Sequence, residues 1–425
     1  MHDTQTAATG PPAPAAPSPI RNPVVRRVII SDLISRLGSR MSYLALPWFV
    51  LITSHSITRM GLVFGVELLP VAVLGIPSAS VIERLGIRRT VVIGDAAQAI
   101  LIALVPGLYL LKVLSFWAIL VIVAAVGSVA APYTAAQRLL LPEALGDDEV
   151  AVTTGNALIE ASTWGTQLAG PAIAGLLIAV IGAMNVLWID AGTFVISAVV
   201  LYGLPRPAAD LSGAAASPGL LAGARYALRD SALARLIVAA TGYGIFIPFV
   251  LIALPVTADI RFGANPKVAG WLLAAWGGGA LAGTFVVMPA VQRIPPLRLG
   301  ALAGIGMAVP LWFLPIRQPV LSIAAIMLIS GLFIPMLNAP AFALLTTRPP
   351  AELRAQVMTF FVTANLLAGP VAYVAAGPLF AHFGLAPVLI GVAIGVTLCA
   401  GLLFTFLRPA AAGQDDAGPV IKEPA

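Results

Sequence analysis

Twelve apolar runs, each near the length a helix needs to cross a bilayer, dominate this chain. They cover roughly residues 29–52, 59–82, 90–111, 115–135, 152–178, 183–204, 232–257, 267–289, 297–315, 320–345, 356–380 and 385–407. None alternates apolar and polar residues with a period of two, so the runs read as helices and not as barrel strands. A helix satisfies its backbone groups within itself, which lipid demands. The charge content agrees: 10% of residues are charged, where a soluble chain has about 25%. A large soluble core does not explain the deficit, because its surface would still need charge. The fold class is therefore an all-α membrane protein with 12 transmembrane helices.

The connections are short except at 205–231, which opens with the Pro/Ser/Gly-rich stretch PRPAADLSGAAASPG. That linker divides the spans six and six, giving a first half at 26–204 and a second at 232–407. A weak repeat supports two related halves. Gly175 and Gly182 in the fifth run match Gly377 and Gly384 in the eleventh, and LAGP occurs at 168–171 and 367–370. Parallel repeats of this kind place a transport site between the halves. Residues 1–25 and 408–425 are expected as disordered tails, and residues 1–20 lack the basic start of a cleavable signal.

Seventeen of the 24 Lys and Arg fall on the side that holds both tails, five on the other, and Arg36 and Arg40 inside the first span. The bias predicts both termini in the cytoplasm of a cell or inner-membrane protein. The net charge of +6 is then a matter of topology, not of nucleic-acid binding. Cys399 is the only cysteine and the three His are scattered, so neither an internal disulfide nor a metal site is expected. No phosphate-binding loop or nucleophile elbow appears, so neither an enzyme nor a cofactor is expected.

Charges inside a span are costly and mark function. Asp32, Arg36, Arg40 and Tyr43 recur at helical spacing and form one polar stripe. Asp32 and Arg36 can neutralise each other, while Arg40 wants an acidic partner or an anionic ligand. Asn156, Glu160, Thr163 and Gln167 form a second stripe with Trp164 beside it, and Glu160 is a partner candidate for Arg40. A proton carrier must be an ionisable group that water reaches from alternate sides. Glu160, Glu67, Asp190 and Asp32 are the candidates, each with a structural hydrogen bond or ion pair as the competing reading. The second half offers Tyr243, Trp271, Trp276, Asn338 and Asn365, which suit a cavity wall or plain packing.

The densest charge lies in VIERLGIRRTVVIGD, residues 81–95. Glu83 near a helix end needs compensation from Arg84, Arg88 and Arg89. Gly86 permits the turn. Asp95, seven residues after Arg88, shares its helix face. Two readings stand, a cytoplasmic anchor or a latch between conformations.

Ala79, Glu83, Arg84, Gly86, Arg88 and Arg89 resemble the loop signature between spans 2 and 3 of the major facilitator superfamily, with Ala79 for its usual Gly and Glu83 for its Asp. Thr166, Gly170, Pro171, Ala174 and Gly175 resemble that family's span-5 antiporter motif, with Thr166 and Ala174 in place of glycines. LPEAL, DAGTF, SRLGSRMSYLALPW and GWLLAAWGGGALAG are similar to the branch containing enterobactin and macrolide efflux proteins. Span 4 departs from many drug–proton antiporters in lacking an intramembrane Arg. The resemblance covers about residues 25–407. It implies a monomeric, multi-pass secondary transporter, with protons, membrane lipids and a small molecule as partners. The activity it implies is proton-coupled efflux of a drug, siderophore or secondary metabolite by alternating access, with Ala79 to Arg89 and Asp95 as the latch. An importer, an uncoupled facilitator, a lipid flippase or a non-transporting membrane protein are the alternatives.

Overall fold

In a computed structural model the chain is helical throughout the described residues, 23–75, 77–145, 149–203 and 220–405. The two tails and the first part of the linker lie outside them. The helices are α1 (Pro23–Ser54), α2 (Ile57–Leu74), α3 (Ser78–Leu85), α4 (Ile87–Leu110), α5 (Phe116–Leu145), α6 (Glu149–Ile181) and α7 (Ala183–Tyr202). They continue as α8 (Leu220–Arg229), α9 (Ser231–Arg261), α10 (Pro266–Arg293), α11 (Pro296–Leu311), α12 (Val320–Thr347), α13 (Ala351–Phe383) and α14 (Leu385–Phe404).

Ten of these are long and apolar enough to cross a membrane. The remaining two of the expected twelve fail for local reasons. The lower part of α1 carries Arg26, Arg27, Asp32, Arg36 and Arg40, and α11 has only 16 residues. The short helices α3 and α8 account for the other two. Each is amphipathic: α3 buries Ser78 and Ile82, whereas α8 buries Gly223 and Ala227 and exposes Arg225, Leu228 and Arg229. The linker is therefore partly a helix. Lipid-facing helix surfaces carry bare apolar side chains, such as Leu321 at 84% exposure, which water would not favour.

α1 to α7 form one half and α9 to α14 the other. In the first, α1 packs on α6 and α7, and α4 on α5 and α7. In the second, α12 packs on α10 and α11, and α14 on α9 and α11. The halves meet along α6 with α10 and along α2 with α13. We name the end of the bundle where α1 starts the base and the opposite end the apex. The predicted repeat is visible in the backbone. Gly182 joins α6 to α7 at φ +83° and Gly384 joins α13 to α14 at φ +80°, the left-handed region that favours glycine. One heptad earlier, Gly175 and Gly377 sit at the two inter-half contacts. A Cβ on Gly175 would lie 2.5 Å from the Pro266 carbonyl oxygen and 3.0 Å from the Gly270 Cα. A Cβ on Gly377 would lie 2.7 Å from the Thr58 Cα. Backbones this close require small residues.

Candidate functional site

The first half concentrates its polar side chains on α1, which crosses the bundle beside α2, α6 and α7. Near the base, Arg36 Nε donates to Asp32 at 2.7 Å, the mutual neutralisation expected at i, i+4. Ser162 on α6 donates to the same carboxylate at 3.4 Å, and Arg36 reaches Gln137 on α5 at 3.4 Å. One turn further toward the apex stands Arg40, half-buried, with its Cβ against α6. A Cβ on Gly170 would lie only 2.4 Å from it, so the small residue of the span-5 motif is what admits Arg40. Glu67 on α2 is half-buried and lies within electrostatic range of Arg40, yet the two form no direct ion pair.

Tyr43 lies one turn above Arg40. Its hydroxyl shares a 2.6 Å hydrogen bond with the hydroxyl of Tyr373 on α13, which joins the two halves. Phe64 on α2 stacks on the Tyr373 ring at 5.0 Å and tilts against Tyr43 at 4.9 Å. This aromatic layer lies between the charged residues and the glycine contacts of the apex.

Below it a cavity of about 320 Å³ reaches toward the base. Its walls come chiefly from the second half, with Tyr243, Trp276, Asn338 and Asn365 among them, closed on the other side by Trp164 and Gln167 of α6. Leu236 and Leu403, near the base ends of α9 and α14, line its lower part. Of the second-half candidates, Trp271 alone is absent from this wall and is exposed on α10.

The other predicted residues separate by environment. Asp190 is fully buried between α7 and α1, where it accepts hydrogen bonds from Ser42 and Thr193 against Gly38. That is the packing reading, not an opening to the cavity. Asp95 is also fully buried and accepts from Ser197 at 2.6 Å, and Ser197 in turn meets Ser31 at 2.6 Å. Arg88 donates to the carbonyl oxygens of Leu201 and Tyr202. Arg88 and Asp95 therefore share a face, as expected, and both use it to hold α7 instead of pairing with each other. Ala79, Glu83, Arg84 and Arg89 are exposed at the base, while Ile82 and Ile87 anchor the turn at Gly86, φ +78°. Thr166 is buried and turns its hydroxyl back on the Ser162 carbonyl oxygen, and Pro171 lies one residue beyond Gly170. The side chains of Asn156 and Glu160 lie outside the described residues.

Sequence reasoning missed Tyr373 and Phe64, because each reads as one aromatic among many in an apolar run. The signal that could have found Tyr373 is its place four residues before Gly377 in the repeat. Ser197, Tyr133 and Gln137 were missed as well; of these only Ser197 offered a cue, a small polar residue two turns after Asp190 on one helix face.

The family model of the Major Facilitator Superfamily matches residues 28–373. The multidrug efflux pump Tap of Mycolicibacterium fortuitum is 28% identical over 393 residues, covering 89% of this chain and 94% of that protein. Its namesake in Mycobacterium tuberculosis is 26% identical, covering 88% and 91%. Among solved structures, the nucleoside transporter NupG superposes with a TM-score of 0.74 at 11% identity, covering 91% of this chain and all of that one. A bacterial homologue of ferroportin in an inward-facing state gives 0.70 at 15% identity, covering 91% and 99%. The overall helical fold is thus shared with solved transporters. On sequence and fold together, this chain belongs to the Major Facilitator Superfamily.

Proposed function

We propose that the chain is a secondary active exporter of the cell membrane, moving a small amphipathic molecule outward in exchange for protons by alternating access. The observation that carries this reading is a cavity walled by both halves, reaching the base, with a membrane-embedded carboxylate, Glu67, just above it. A charge in a span is retained where it serves transport. The excess of Arg at the base assigns that end to the cytoplasm. The efflux pumps named above, similar along nearly the whole chain, support export over import.

Glu67 is the proton carrier in this reading. Asp190 and Asp32 already have hydrogen-bond or ion-pair partners within the first half, and Glu160 is the second candidate. The aromatic seam of Tyr43, Phe64 and Tyr373 closes the outer path while the cavity faces the cytoplasm. Glu83, Arg84 and Arg89, solvent-facing here, engage the second half when the base closes. Arg88 and Asp95 fix α4 to α7 so that the first half moves as one body. The exporter works as a monomer in the lipid bilayer.

The test uses everted vesicles with an acidic lumen and a pH-sensitive dye. Addition of a transported amphipathic compound dissipates the gradient, and Glu67→Gln abolishes the response. Flux that is indifferent to a collapsed gradient overturns proton coupling. Accumulation directed the other way overturns export.

A further inference from the structure

Arg40 and Glu67 are opposite charges inside the membrane that come into electrostatic range without touching. A buried pair normally closes to contact, because contact is what offsets desolvation. Asp32 and Arg36, one turn away on α1, do so at 2.7 Å. Among the described residues Arg40 makes no hydrogen bond to another side chain, and it interacts with the charged or titratable groups of Arg36, Tyr43, Glu67 and Tyr373. Among the described residues Glu67 likewise has no hydrogen-bond donor; it faces Arg40 and Tyr43 on α1 and interacts with Asp190 on α7 and Tyr373 on α13 as well. From α5 its neighbour is Gly127, held against the Glu67 carbonyl oxygen. Two opposite charges held apart leave one position for each end of a dipolar molecule.

We propose that this split pair reads zwitterionic substrates: Arg40 takes the anionic group and Glu67 the cationic group of one amphipathic molecule. The apolar body then lies in the adjoining cavity. Gln167, which lines that cavity, sits one turn below Gly170, against which Arg40 packs, so α6 joins the two subsites. Trp276, Tyr243 and Phe361 supply flat apolar faces there. A cation alone would meet repulsion from Arg40 and an anion alone repulsion from Glu67, so each single charge is disfavoured relative to the dipole. The arrangement also explains exchange with protons. Protonation of Glu67 removes the acceptor for the cationic end, and the substrate leaves as the proton binds. This inference rests on the exporter reading, and its test is separable from it, because binding is measured without any gradient.

The probes are three xanthene dyes on one skeleton: the rhodamine with free amino groups and a free benzoate, a zwitterion; its methyl ester, a cation; and fluorescein, an anion. Binding to the purified full-length chain in detergent is followed by fluorescence polarisation. A pair of charge-assisted contacts is worth about tenfold or more in affinity, so the zwitterion binds at least about tenfold tighter than either relative. Arg40→Gln removes the preference for the zwitterion over its ester: the zwitterion weakens, while the ester, relieved of the repulsion from Arg40, binds at least as well as before. Arg40→Lys restores part of that preference, which separates lost charge from lost fold. Glu67→Gln removes the preference for the zwitterion over fluorescein. Equal affinities of zwitterion and ester for the unmodified chain overturn the inference, as does undetectable binding of the zwitterion or equal weakening of both by Arg40→Gln. Ester-driven proton release in vesicles with no zwitterion preference leaves the exporter reading standing and this one refuted. Zwitterion preference without proton release does the reverse.

Discussion

The two halves share a backbone plan and divide the chemistry. The first half carries Asp32, Arg36, Arg40, Glu67, Asp95 and Asp190 within its spans. The cavity wall of the second half is apolar, aromatic and amide-bearing. Its one described ion pair, Asp230 with Arg348 at 2.8 Å, lies at the base, where Asp230 also caps α9. A membrane charge is expensive wherever it stands, so its confinement to one half separates two tasks. On the reading proposed above, one half responds to charge and the other accommodates shape. A duplicated fold allows that division, because the helix contacts that move need not be the side chains that bind.

Five substitutions, the last two a pair, test that division in descending order of effect. Glu67→Gln silences the first half, and proton-linked transport in everted vesicles falls to that of vesicles lacking the protein. Trp276→Ala enlarges the wall of the second half and leaves the coupled proton response intact. It changes relative affinities across a panel of amphipathic dyes by up to about tenfold, the scale of a lost aromatic contact of about 0.5–1.5 kcal/mol. Asp190→Ala separates two acids of the same half. It removes the acceptor for Ser42 and Thr193, at a cost of about 1–3 kcal/mol, so the melting temperature in detergent drops while proton coupling survives. Loss of coupling there would move the carrier from Glu67 to Asp190. Tyr43→Phe and Tyr373→Phe each remove the same bond between halves, worth about 0.5–1.5 kcal/mol. Each shifts labelling of an apex cysteine, introduced in a Cys399→Ala background, by at most about tenfold, and the double variant shifts it no further than either alone.

Most of the architecture was legible in the chain, because spans, turns and sidedness are local properties. Hydrophobic length gives the helices, Arg gives the predicted sidedness, and the glycines of the repeat foretold the matching turns at Gly182 and Gly384. The site was legible by residue type and not by role. Glu67 and Asp190 look alike in sequence, each a lone acid in an apolar run. Only packing distinguishes them: Gly38 packs against Asp190, and Ser42 and Thr193 donate to it, while among the described residues no side chain donates to Glu67. Arg88 and Asp95 were placed on one face correctly, yet their partners lie more than 100 residues away on α7. Tyr43 and Tyr373 are separated by 330 positions, a distance across which no periodicity speaks.

The contact of α6 with α10 has a mechanical meaning beyond its closeness. Where Gly175 meets Gly270 and Gln167 meets Gly277, backbone rests on backbone, with few side chains interleaved. Interdigitated ridges would have to climb over one another for the helices to turn. Smooth surfaces pivot without that climb, so the joint behaves as a bearing and not as a gear. What resists the turn is then a bond elsewhere in the seam, the Tyr43–Tyr373 hydroxyl pair between α1 and α13, a detent set apart from the bearing itself.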